Sequence, residues 1–137
     1  MGLVHLDAGV IIGFLDAGDA HHLRARAMLA GALENGESVA MAASAFAECL
    51  VGPARRGDAA IQTIRSLVDR VPISIVPLDV DIATTAARLR AAHRGLRLPD
   101  ALVIATAIEA AADRLVTTDR KWPTAKALRF AGTIKHL

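Results

Sequence analysis

The chain has 137 residues, 53% of them hydrophobic and 22% charged, which suits one well-packed domain and leaves too little length for two. That balance excludes a disordered chain. The formal net charge of +2, from 16 Lys and Arg against 14 Asp and Glu, is too near neutral to argue nucleic-acid binding by itself.

Residues 3–6 read as a first strand, and 8–15 as a short helix directly after it. Asp16-Ala17-Gly18-Asp19 is turn chemistry. Residues 21–33 have helical apolar spacing that ends near Asn35-Gly36. A second strand at 39–42 leads into a helix with Ser44 as its N-cap and a stop at Gly52-Pro53. A further amphipathic helix spans 58–71, with Ile61, Ile64, Leu67 and Val68 on one face. The β-branched run 73–76, bounded by prolines, is the third strand. Asp79 caps a long helix reaching about Gly95, and Pro99 opens the next, which runs to about Ala112. Residues 115–117 form another strand and 133–136 a last short one.

Strands separated by helices imply right-handed crossovers, so the expected fold is a three-layer α/β/α sandwich with a mainly parallel central sheet, one domain over residues 1–137. The opening MGLVHLDAG lacks a basic stretch followed by a long apolar one, so no signal peptide is expected. Nor is a membrane span expected. The lone Cys49 excludes an internal disulfide or a multi-cysteine zinc site and suits a reducing cytoplasm.

Ligands of an open parallel sheet bind beyond the carboxyl ends of its strands. Asp7 ends the first strand, and Asp119 follows the strand that ends at Thr117. Glu48 sits early in the helix after the second strand, and Asp100 at the start of the helix opened by Pro99. All four acids are therefore expected at one edge. Taken singly, Asp7 and Asp100 also suit helix starts. Glu48 is flanked by Phe46, Ala47, Cys49 and Leu50, which read as buried, and a buried carboxylate needs a reason. Four converging acids repel unless a cation joins them, and Mg²⁺ or Mn²⁺ takes such oxygen ligands.

Asp16 and Glu109 lie on the opposite helix faces from their neighbouring acids, and the remaining acids read as helix caps or solvated loops. Arg94 and Arg97 precede Asp100, and Arg120 and Lys121 follow Asp119, so these four are the expected contacts to the phosphates of an anionic substrate. With no tyrosine and one tryptophan, an aromatic stacking platform is not expected. Trp122 reads as packing under the Asp119 loop, Cys49 as a core residue, His5 as structural, and His21 and His22 as helix-start residues.

The segments LDAGVIIGFLD, SAFAECLVG, LPDALVIATAIEAAADRLVTTD and RKW resemble the successive motifs of PIN domains, and most closely those of VapC-type toxins. The resemblance covers nearly the whole chain. It implies a Mg²⁺- or Mn²⁺-dependent endoribonuclease, often dimeric, held inactive by a cognate antitoxin. By motif, Asp7, Glu48, Asp100 and Asp119 are its metal-binding acids, with Thr117 orienting the last of them. Two positions depart from the pattern. Gly9 stands where the family often has Ser or Asn, so a hydrogen bond to the site is either missing or supplied by Thr117 or Thr118. Lys121 stands where some members carry another acid, which leaves one-metal action open. The same acids would also suit a phosphatase or a DNA nuclease, and the fold could serve as an inactive module that only binds a protein.

Overall fold

Five short strands form the centre of the molecule: β1 (Leu3–Leu6), β2 (Ser38–Ala42), β3 (Ser74–Val76), β4 (Arg114–Thr117) and β5 (Thr133–His136). They pair in the order β3-β2-β1-β4-β5, and every pair is parallel. This is a computed structural model, and it describes residues 2–137. The expected domain starts at Met1, which lies outside the described residues.

The helices are α1 (Ala8–Leu15), α2 (His22–Glu34), α3 (Ala43–Arg56), α4 (Asp58–Arg70), α5 (Val80–Ala92) and α6 (Leu98–Glu109). The chain moves outward from β1 through β2 to β3, then returns past β1 to β4 and β5. Right-handed crossovers travelling in opposite directions cover both faces, which gives the expected three layers. The reversal leaves a crevice between β1 and β4, the place where such sheets bind ligands.

The core explains which segments became which elements. Leu6, Met41 and Leu115 from the strands meet Ile11, Leu29 and Ile104 from the helices, all essentially inaccessible to solvent. Helix α6 is buried along Ala101 and Val103–Ala107, as its nearly all-apolar sequence requires.

Four expected boundaries moved, each for a local reason. Helix α5 stops at Ala92, short of Gly95, where His93 turns extended. Strand β2 runs into α3 without a loop, so the cap position falls on Ala42 and not on Ser44, whose buried Oγ has no hydrogen-bond partner. Helix α3 also continues through Gly52-Pro53 to Arg56, with Pro53 buried in the core. Packing there outweighs the missing backbone donor. The actual stop is Gly57, whose φ of +116° few other residues adopt. Helix α6 ends at Glu109 because Ala111 turns left-handed at φ +52° and the Ala112 N–H returns to the Ala107 carbonyl.

Gly132, which leads into β5, is pressed against the backbone. A Cβ there would lie 2.6 Å from the carbonyl oxygens of both Ala112 and Asp113. Gly132→Ala is therefore expected to cost about 1–3 kcal/mol and lower Tm by several degrees in a thermal melt. An unchanged Tm would contradict this close approach.

Candidate active site

Pairing between β1 and β4 brings Leu6 level with Val116, and the Asp7 N–H continues the ladder to the Val116 carbonyl at 2.9 Å. Asp7 thus leaves β1 at the crevice and caps α1. Its Oδ1 accepts from the Ala8 N–H at 2.8 Å, and its Oδ2 accepts from the Thr117 hydroxyl at 2.8 Å. The same Thr117 oxygen accepts the Asp119 N–H at 3.0 Å. One hydroxyl therefore ties the first acid to the backbone of the last. Asp119 is pinned again by its Oδ1, which accepts the Lys121 N–H at 2.8 Å.

Asp7 is only 8% exposed, and burial pushes its carboxyl from the ordinary 3.8 up to about 6. The Thr117 and Ala8 hydrogen bonds oppose that rise without cancelling it, while the charges of Asp100 and Glu48 add to it. Partial desolvation of its carboxyl beside the other acids, together with the charge of Asp100, also raises Glu48, although the residue as a whole is exposed. Asp100 is raised by burial and by Asp119, against the opposing charge of Arg97. Asp7, Glu48 and Asp100 thus feel one another's charge, and Asp119 acts on Asp100, so the fold brings the four acids named from the sequence to one edge.

Their settings differ from expectation in one case. Glu48 and its neighbour Ala47 are exposed, not buried; of that helical stretch Ala45 and Cys49 are buried in the core and Phe46 packs against it. The burial argument for Glu48 fails, although its position beside Asp7 and Asp100 stands.

Asp100 and Asp119 line a cleft of about 650 Å³ with Arg97, Lys121, His93 and Trp122. Arg97 pairs with Asp100 at 3.7 Å, yet its side chain is 80% exposed, so water weakens the pair and leaves the guanidinium available. The other two expected phosphate contacts lie elsewhere. Arg94 is exposed but does not line this cleft. Arg120 turns to the Leu137 carbonyl, donating at 3.2 Å, and borders a different depression.

Trp122 is buried as expected, and it also has a role that the sequence did not reveal. Its indole N–H lies near enough to Asp100 to favour the charged carboxylate, without completing a hydrogen bond. Gly9 has an equally local explanation. A Cβ there would collide with the Thr118 Oγ1, so the Thr118 hydroxyl fills the space that a side chain at position 9 would need.

As they stand, no three His, Cys, Asp or Glu side chains among the described residues are arranged to hold a metal ion. The donor chemistry still fits a hard divalent cation. The four acids offer only oxygen, and exposed Glu48 makes no hydrogen bond that would fix its carboxylate. Of the softer ligands, His93 borders the cleft, while Cys49, His5 and His22 are engaged or buried elsewhere. The Cys49 thiol faces the Ala8 carbonyl, with burial holding it up at about 12. His5 is buried on β1, and burial lowers its pKa. His22 Nδ1 contacts the Gly13 carbonyl at 2.9 Å and ties α2 to α1.

A carboxyl whose folded pKa lies above its unfolded value binds protons more tightly in the native state. Its contribution to stability is therefore greatest below the unfolded pKa and is lost as pH rises through the folded one. For Asp7 that window runs from 3.8 to about 6. Without divalent ions, wild type should lose about 3 kcal/mol across it relative to Asp7→Asn, measured as denaturant stability against pH. Parallel pH profiles for the two proteins would contradict the raised Asp7.

Solved structures share this fold. VapBC2 from Rickettsia felis, bound to a DNA fragment from its promoter, matches at 15% identity over 98% of each chain with a TM-score of 0.71. A toxin–antitoxin complex from Klebsiella pneumoniae matches at 24% identity over 86% of this chain and 88% of that one, TM-score 0.63. VapC20 of Mycobacterium tuberculosis, a toxin that cleaves the sarcin–ricin loop, matches at 18% identity over 86% and 91%, TM-score 0.69. No curated protein sequence matches the chain. The PIN-domain family model matches residues 4–128, which takes in all four acids and every strand except β5, and the chain belongs to that family.

Proposed function

We propose that this chain is a divalent-cation-dependent endoribonuclease and the toxin of a toxin–antitoxin pair. Asp7, Glu48, Asp100 and Asp119 would hold Mg²⁺, with Mn²⁺ as a substitute. The observation that carries this reading is the buried Asp7 carboxyl, raised to about 6 beside three further acids at the sheet's switch point. A site that strains its own carboxylates in this way favours a cation. When bound, the ion supplies charge that neutralises the scissile phosphate and generates the attacking hydroxide from water at neutral pH.

The protein's own residues do the positioning. Thr117 holds Asp7 and Asp119 in fixed relation, and the Trp122 indole offsets a small part of the rise in the Asp100 pKa. Arg97 and Lys121 on the cleft rim are suited to phosphates on either side of the cleaved bond. Hydrolysis adds water across one phosphodiester, giving a phosphate monoester and a free hydroxyl.

The partner reading rests on the toxin–antitoxin complexes among the structural neighbours. A groove lined by Ile12, Leu15, Cys49 and Ile64 runs up to Glu48 and would let a protein segment approach the acids. A homodimer is part of the same proposal. No helix among the described residues is long and apolar enough to cross a membrane. The open arrangement of the acids favours one second reading, a module that binds its protein partner without cutting RNA.

Cleavage of full-length transcripts and tRNA with and without Mg²⁺ or Mn²⁺ separates the two. Asp7→Asn and Asp119→Asn should abolish cleavage while remaining folded, because an amide is a poor ligand for a hard cation. Wild-type activity in either variant would sink the assignment. Ion binding should also raise the Tm of wild type by several degrees, about 2.7 kcal/mol at 100 times the dissociation constant, with a smaller rise in Asp119→Asn.

A further inference from the structure

A second cationic site lies outside the acidic cleft. Arg24 on α2, Arg120 after β4, and Lys135 and His136 on β5 line one depression of about 380 Å³, with Ala27, Met28 and Leu137 as its floor. No Asp or Glu lines it, and neither Arg24 nor Lys135 forms an ion pair among the described residues, while Arg120 is engaged by a main-chain oxygen of Leu137, the last residue of the sequence. Arg24, Lys135 and His136 are exposed.

The register of the sheet gives this depression its place. Thr117 pairs with His136, and the Leu137 N–H donates to the Thr117 carbonyl at 3.0 Å, so the end of β5 reaches the same carboxyl edge as the acids. Asp119 and Arg120 are consecutive. The first faces the acidic cleft, and the second faces the cationic depression. Arg120 is held there by the Leu137 carbonyl, which engages one of its five N–H donors and leaves the others to face outward.

From this geometry we infer that the depression is a second phosphate-binding subsite for the RNA strand whose cleavage is proposed above. It would take backbone phosphates beyond the scissile bond, on the β5 side of Asp119. Arg24 and Lys135, which have no acidic partner among the described residues and flank the Arg120 that follows Asp119, match a polyanion that runs through the acidic centre. The inference rests on the nuclease reading and deepens it. It also accounts for Arg120 turning away from the acids.

The test uses Arg24→Ala/Lys135→Ala, two exposed side chains whose removal leaves the Arg120–Leu137 bond in place. Arg65→Ala/Lys126→Ala removes equal charge elsewhere and is the control. RNA binding is read by anisotropy against salt in an Asp7→Asn background, and cleavage kinetics in the active background. The Arg24/Lys135 variant should lower the log–log salt slope by about 1.4, from two contacts at about 0.7 each. It should raise KM for long RNA several-fold, with kcat unchanged. Cleavage of an oligonucleotide too short to leave the acidic cleft should stay at wild-type level.

If wild type cleaves RNA but the variant keeps its slope and KM, or the control changes equally, the subsite is refuted and the nuclease reading stands. If wild type neither binds nor cleaves RNA, both fall. If RNA binding is unchanged while a co-expressed protein partner no longer protects cells, the patch serves protein recognition and the subsite is likewise refuted.

Discussion

The desolvated carboxyl of Asp7 is the constraint around which the site is arranged. Parallel pairing of β1 with β4 places it in the crevice, and the start of α1 gives it one backbone donor. Thr117 gives it a second donor and spends its own acceptor on the Asp119 backbone. These groups support a charge there, yet they do not outweigh burial and the neighbouring acids. No side-chain cation offsets Asp7, since the charge of Arg97 is felt by Glu48 and Asp100 instead. The balance remains unfavourable until positive charge arrives from outside the chain.

That imbalance connects stability to function. On the proposed reading, in which the pocket accepts a cation, it should be least stable when empty at neutral pH, and most responsive to ions that bind only the folded form. The surrounding charges fit a second demand. Arg97 and Lys121 border the acids, and a further group of cations continues past Arg120 along the same sheet edge. A net charge of +2 conceals this separation of negative centre and positive margins.

Much of this was legible in the sequence because it depends on local rules. Alternating strands and helices give the layers, and acids that follow strand ends must share an edge whatever the exact strand order. The LPDALVIATA segment is apolar except for Asp100 and its threonine, and becomes helix α6, buried from Ala101 to Ala107 apart from the half-buried Leu102. What escaped was set by tertiary packing. Ser44 and Pro53 are signals for a helix start and stop, but a strand that enters α3 directly and a core that buries Pro53 override both. Glu48 read as buried because its neighbours are apolar, although Ala47 faces solvent with it. Arg120 shares a sequence neighbourhood with Asp119, and only the position of Leu137 sends its side chain the other way. Gly9 looked like a missing hydrogen bond until Thr118 was found in the space above it.

The most direct test is a carboxyl-carbon NMR titration of Asp7, with Asp7→Asn to assign its resonance. Without divalent ions, Asp7 should titrate near the value of about 6 that its burial imposes. With saturating Mg²⁺, its midpoint should fall below the ordinary range for a carboxylate, because the bound cation favours the charged form. A midpoint near 4 in both conditions, unmoved by Mg²⁺, would contradict the claim that this site is a buried carboxylate waiting for a metal ion.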